Sequence, residues 1–147
     1  MIESITELFI RDLSKLKKEI NSYSDESKFW IVQLSIQNSG GNLTLHLLGN
    51  LQHFIGHILG NSGYIRKRES EFLNKVVSKT QLLEEIEQTS LVVAKTLPLL
   101  TNEDLAKTYP LSVLKKETTT QYFLLHLLAH FNYHLGQINY HRRLLDK

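Results

Sequence analysis

The stretch LLHLLAHFNYHLGQINYHRR, residues 124–143, decides how this chain is read, since it holds four of the seven histidines in one helical run. The helix containing it is expected from about Thr119 to Leu145, some 40 Å at 1.5 Å per residue. Residues four apart on a helix lie one above the other, roughly 6 Å between Cβ atoms. His126, His130 and His134 therefore form a column on an otherwise apolar face.

A second helix, NLTLHLLGNLQHFIGHIL over residues 42–59, repeats the theme, with His53 above His57 and His46 on the same face. NSGG breaks the chain before it, with Asn42 expected as N-cap, and GNSG stops it. Ile2, Ile5, Phe9, Leu13, Leu16 and Ile20 line one face of a first helix over about residues 2–22. Ser78 with Gln81 makes a capping box for a third helix carrying Leu82, Leu83, Ile86, Val93 and Leu97, ending near Pro98. Thr101 and Asp104 mark a short helical turn. The polar segment from Gly60 to Val77 reads as a crossover connection. The expected fold is all-α, a four-helix bundle with a long crossover between helices 2 and 3, in one domain spanning residues 1–147.

Composition agrees with that class. Hydrophobic residues are 41% and charged residues 22%, with only 7 Gly and 2 Pro, which excludes disordered and collagen-like chains. The absence of cysteine excludes a disulfide framework and any Cys-ligated metal, and fits a reducing compartment. MIESITELFIRDLSKLKKEI has acids and an amphipathic repeat where a signal peptide needs a basic start and an apolar core. No uncharged apolar run approaches the ~18 residues of a membrane span, so a cytoplasmic protein with no membrane contact is expected. A net charge of +2 gives no reason to expect nucleic acid.

The histidine stripes suggest a mononuclear metal site, two nitrogens from one helix and a third from its neighbour, leaving a coordination position open. The competing explanation is that the imidazoles pack and hydrogen-bond at helix interfaces. Neither histidine helix carries an acid before Asp146, and neither Glu-x-x-His nor HExxH occurs, so a carboxylate-bridged di-iron centre and a zinc-protease site lack their residues. Spacing alone leaves three HxxxH pairs open: His53/His57, His126/His130 and His130/His134.

NLTLHLLGNLQHFIGHILG and AHFNYHLGQINYHRRLL resemble the DinB-like proteins, which include YfiT-type metal-dependent hydrolases and thiol transferases. That family has a histidine in the first half of the second helix and, in the fourth, an HxxxH followed closely by Gly-Gln. Here these are His46, then His130 and His134 ahead of Gly136-Gln137. YIRKRESEF, residues 64–72, resembles a sub-branch of unassigned function. The resemblance implies a four-helix bundle, a divalent metal (Zn, Ni or Fe) on His46, His130 and His134, and a homodimer. Leu135 stands where the family often has an arginine before Gly-Gln.

Around that triad, Asn50 and Gln137 lie within a turn of the expected ligands and either orient a ligand imidazole or a bound water or only hydrogen-bond within their helices. His53 and His126 are expected further along the same seam, as pocket floor, proton shuttle or packing. His57 is given no role. His141, in the last helical turn beside Arg142 and Arg143, suits the helix dipole. Arg66, Lys67 and Arg68 either meet an anionic substrate or form a solvated charge run with Glu69 and Glu71. Tyr122, Tyr133 and Tyr140 are expected to pack along the bundle.

Three functions fit. The first is an enzyme acting on a small-molecule substrate, a metal-dependent hydrolase or an S-transferase using an external low-molecular-weight thiol, because the chain has no cysteine of its own. The second is a metal- or ligand-binding stress-response bundle without turnover. The third is a dimeric interaction protein whose histidines only pack.

Overall fold

Ile5, Phe9, Leu13, Leu16 and Ile20, spaced by three and four, are almost wholly buried, and they place the helix α1 (Ile2–Ser22) against the rest of the chain. The computed structural model describes residues 1–147. Five more α-helices follow: α2 (Gly40–Leu51), α3 (Arg68–Leu73), α4 (Lys79–Thr96), α5 (Asn102–Ala106) and α6 (Thr120–Leu145). The protein is all-α, with one isolated bridge between Thr108 and Thr119 as its only extended pairing. No helix is long and apolar enough to cross a membrane.

α1 packs on α4 and α6, while α2 packs on α3, α4 and α6. The core between them includes Phe9, Phe29, Phe123 and Phe131, each no more than 1% exposed. Full burial of such a ring stabilises the fold by about 1.5–3 kcal/mol. The α1/α6 seam is also laced by polar contacts. Buried Asp12 accepts from Asn132 Nδ2 at 2.6 Å, and Glu19 accepts from Asn139 Nδ2 and Arg142 Nε, both at 2.7 Å.

Sequence signals and observed ends agree at several helices. The Ser78/Gln81 capping box starts α4, a second box from Thr101 and Asp104 starts α5, and Thr119 caps α6. α4 gives way to a tight 3₁₀ turn over Leu97–Leu99, where Pro98 cannot continue the α ladder.

Three local features differ from expectation. The N-cap of α2 is Ser39, not Asn42: the Ser39 hydroxyl accepts from the Asn42 backbone N–H at 3.1 Å. The Asn42 side chain instead donates to the carbonyls of Glu71 (3.0 Å) and Asn74 (2.7 Å), pinning the crossover to α2. Second, the α-helix ends at Leu51 and runs on as a π-helical turn over Gln52–His57, in which the Ile58 N–H bonds to the His53 carbonyl at 3.0 Å. Such turns insert a residue into the helical register and occur often at functional sites. Third, Tyr122, Tyr133 and Tyr140 do not pack inward; they are 49%, 66% and 63% exposed.

Candidate metal centre

Each histidine of the candidate triad is delivered by a regular helix: His46 from the middle of α2, His130 and His134 from successive turns of α6. α2 and α6 lie side by side, which brings together residues 84 positions apart in sequence. One ring nitrogen from each of the three lies within 4.8 Å of the others. His46 Nε2 and His130 Nε2 are 3.2 Å apart. Two imidazoles on one tetrahedral zinc, at 2.0–2.1 Å per bond, need a nitrogen separation of about 3.3 Å. The pair already has the required spacing, and the His134 ring stands beside both, its centroid 5.3 Å from that of His46 and 4.6 Å from that of His130.

The far sides of two of these rings fix which nitrogen faces the centre. His46 Nδ1–H donates to Glu71 Oε1 at 3.1 Å, leaving Nε2 as the inward lone pair. His134 Nδ1–H donates to Gln137 Oε1 at 2.6 Å, with the same effect. These tautomers are assigned from the acceptors that each ring faces. A bare His46 Nε2 makes the His130 Nε2–H the donor across the 3.2 Å gap, so a proton occupies the place that suits a cation. His130 Nδ1 is buried with no hydrogen-bond partner.

Glu71 is the residue that sequence reading missed. It belongs to α3, inside the crossover, yet is only 6% exposed. Arg66 clamps it from the other side, Nε to Oε2 and a terminal nitrogen to Oε1, both at 2.9 Å. The same guanidinium lies over the Phe54 ring, 5.6 Å from its centroid. Arg66 and Glu71 are thus no part of a solvated charge run, whereas Lys67, Arg68 and Glu69 are exposed. Burial pushes the Glu71 carboxyl up, but hydrogen bonds from His46 and Arg66, together with the guanidinium's charge, outweigh it and hold it below the usual carboxylate range. The carboxylate fits because α2 has a glycine opposite: a Cβ on Gly49 would collide with Glu71 Oε2. A histidine ligand ordinarily needs an acceptor on its second nitrogen; that is the one signal leading from the triad to the crossover acids, and it does not separate Glu69 from Glu71.

The electrostatics favour neutral imidazoles. His130 is lowered from 6.5 to about 4, first by burial and then by His134, His46, His126 and Arg66. His134 is also lowered by burial, against the opposing effect of Gln137. Neutral imidazole is the form that binds metal.

The other histidines divide. His126 stacks between Phe123 (5.9 Å) and His130 (6.5 Å), while His53 stacks on His57 (6.0 Å) and meets Phe54 edge-on (4.8 Å). The Nδ1 atoms of His53 and His57 and Oδ1 of Asn50 are buried without partners. His141 is not a charged helix-end residue but a buried neutral strut: its Nε2–H donates to the Ile31 carbonyl at 2.8 Å and its Nδ1 accepts from Tyr23 Oη–H at 2.7 Å. Burial lowers its pKa, so it adds no charge to the helix end. Leu135, the departure from the DinB-like pattern, is buried in the core.

Two cavities flank this arrangement. One, of about 380 Å³, lies behind Glu71 among Gly49, Tyr64 and Lys67 and touches none of the three histidines. The other, of about 500 Å³, has His134 in its wall.

The fold and site define an all-helical protein with three histidines that can hold a metal ion. The chain belongs to the family described as "Protein of unknown function (DUF1572)", whose model matches residues 2–147. No curated protein matches it.

Proposed function

We propose that this chain is a divalent-metal enzyme of the DinB-like, YfiT-containing kind: a single-domain four-helix bundle of α1, α2, α4 and α6, with residues 60–77 as the long crossover. His46, His130 and His134 hold the ion through Nε2. The observation that carries this reading is the convergence of the three rings while Glu71 and Gln137 take the opposite nitrogens of two of them. Imidazole donors suit Zn, Ni or Fe. Bound there, such an ion supplies Lewis-acid chemistry, lowering the pKa of a water or thiol and so suiting either hydrolysis or S-transfer from an external low-molecular-weight thiol.

The chain's own residues supply orientation and access. Glu71 and Gln137 fix ring tautomer and rotation, and Arg66 holds Glu71 in place. Phe72, its ring centroid 5.0 Å from that of His46, covers the imidazole. His134 faces both the triad and the 500 Å³ cleft, so a small-molecule substrate reaches the centre from that side. Homodimerisation, which the resemblance implies, is part of the same proposal and is read by light scattering.

The test is elemental analysis of protein purified without a chelating tag or chelator, wild type beside His130→Ala/His134→Ala. Near-stoichiometric metal in the wild type and little in the variant is the expected result. Metal absent from both, and not taken up from added Zn, Ni or Fe, overturns the proposal.

A further inference from the structure

The cleft beside His134 lies between residues 35–38, which precede α2, and α6. Its volume of about 500 Å³ falls in the range of small-molecule sites. Its lining contains no Asp, Glu, Lys or Arg, although these residues are 22% of the chain. The His141 at its base has both ring nitrogens occupied, by Tyr23 and the Ile31 carbonyl. The Nδ1 of His134 is occupied by Gln137. The guanidinium of Arg143 lies 5.4 Å from the centroid of the Tyr140 ring but is not itself a lining residue.

What the lining does offer is aromatic and amide surface. Tyr133 and Tyr140, two helical turns apart on α6, are largely exposed and border the cleft. The Tyr133 ring stands edge-on to His134, with centroids 5.2 Å apart. Gln37 and Asn38 contribute carboxamides from the segment before α2. A charged guest would lose water here with no opposite charge to meet it, whereas a flat uncharged one stacks on the tyrosines and bonds the amides.

The geometry points to an uncharged aromatic or heteroaromatic small molecule with an amide-like polar group as the ligand of this cleft, seated against Tyr133 and Tyr140 and extending to His134. It deepens the metal-enzyme reading, and rests on it only in taking the His134 end as the reactive end. Nothing in the recognition itself requires the ion.

The experiment uses three isosteric probes, benzamide, benzoate and benzamidine, titrated against the metal-free protein of residues 1–147 by ligand-observed NMR up to about 10 mM, a range suited to so small a ligand. Benzamide is expected to bind at least about ten-fold more tightly than either charged probe. Tyr133→Ala/Tyr140→Ala, which removes two exposed side chains and keeps the helical circular-dichroism spectrum, should abolish the preference. His130→Ala, outside the cleft, should lose metal but keep benzamide. Equal or tighter binding of a charged probe, no binding of any probe, or unchanged benzamide affinity in the tyrosine variant overturns the assignment. Benzamide binding in a wild type that takes up no metal leaves the cleft standing and removes the metal reading; metal uptake without benzamide binding does the reverse.

Discussion

Replacing Glu71 with glutamine tests how the crossover supports the centre. The substitution keeps the side chain's shape but removes its charge and turns one acceptor oxygen into an NH₂ donor. Two consequences follow, and they separate. The carboxylate takes a hydrogen bond from His46 Nδ1 at 3.1 Å, whereas glutamine offers that ring at most a neutral oxygen; disturbing such a partner ordinarily costs about 10–100-fold in metal affinity. Meanwhile Arg66, whose side chain is 11% exposed, loses both of its 2.9 Å contacts to a carboxylate. Breaking a buried pair on one side costs about 3–5 kcal/mol, against a total stability of about 5–15 kcal/mol for a domain.

Adding Arg66→Met to Glu71→Gln removes the stranded charge. Urea denaturation of the metal-free proteins should therefore show a marked loss for Glu71→Gln and substantial recovery in the double variant. Zinc affinity, measured by competition with a chromophoric chelator on the folded protein, should stay low in both, since a neutral amide oxygen is a weaker acceptor for His46 Nδ1–H than the carboxylate and neither variant restores the charge. A Glu71→Gln protein that binds zinc with wild-type affinity refutes the role given to the carboxylate's charge at His46. A double variant no more stable than the single refutes the account of Arg66.

Gly49→Ala should act through the same carboxylate, because its Cβ would occupy the position of Glu71 Oε2; zinc affinity should fall in the direction of Glu71→Gln, read by the same competition. For pH, His130 titrates at about 4 in the fold against 6.5 as its ordinary value. Within that window the unfolded chain binds more protons, so metal-free stability falls as pH drops through it. Urea midpoints at intervals from about pH 7 to 4 should show a shallower fall for His130→Asn than for wild type. Tyr23→Phe leaves the buried His141 Nδ1 without its donor and should cost about 1–3 kcal/mol. The same variant should take up metal as wild type does, measured by elemental analysis.

The helices were legible because their signals are local. Ser78 with Gln81, Thr101 with Asp104, Thr119 and Pro98 act through residues within one turn, and the structure uses each where its sequence context suggests. Asn42 misled for the converse reason. Its side chain has the chemistry of a cap, but carbonyls of the crossover, which no local pattern reveals, take its donors. The π turn at Gln52–His57 was invisible in the same way, since its 3.6-type apolar spacing reads as an ordinary helix.

Sequence by itself determined the all-α class, the imidazole columns on two helices, and the lack of carboxylates on those helices, because helical period and residue type are properties of neighbouring positions. Only the tertiary structure decided which rings meet. That choice depends on the rotation and axial offset of α2 against α6, so that His46 faces His130 and His134 while His53 and His57 stack on each other. It also decided that Glu71 and Arg66, one reading of which was a solvated charge run, go inside. A buried carboxylate is stable only where donors surround it, and those donors come from His46 on one helix and Arg66 on the crossover, with Gly49 leaving the space between.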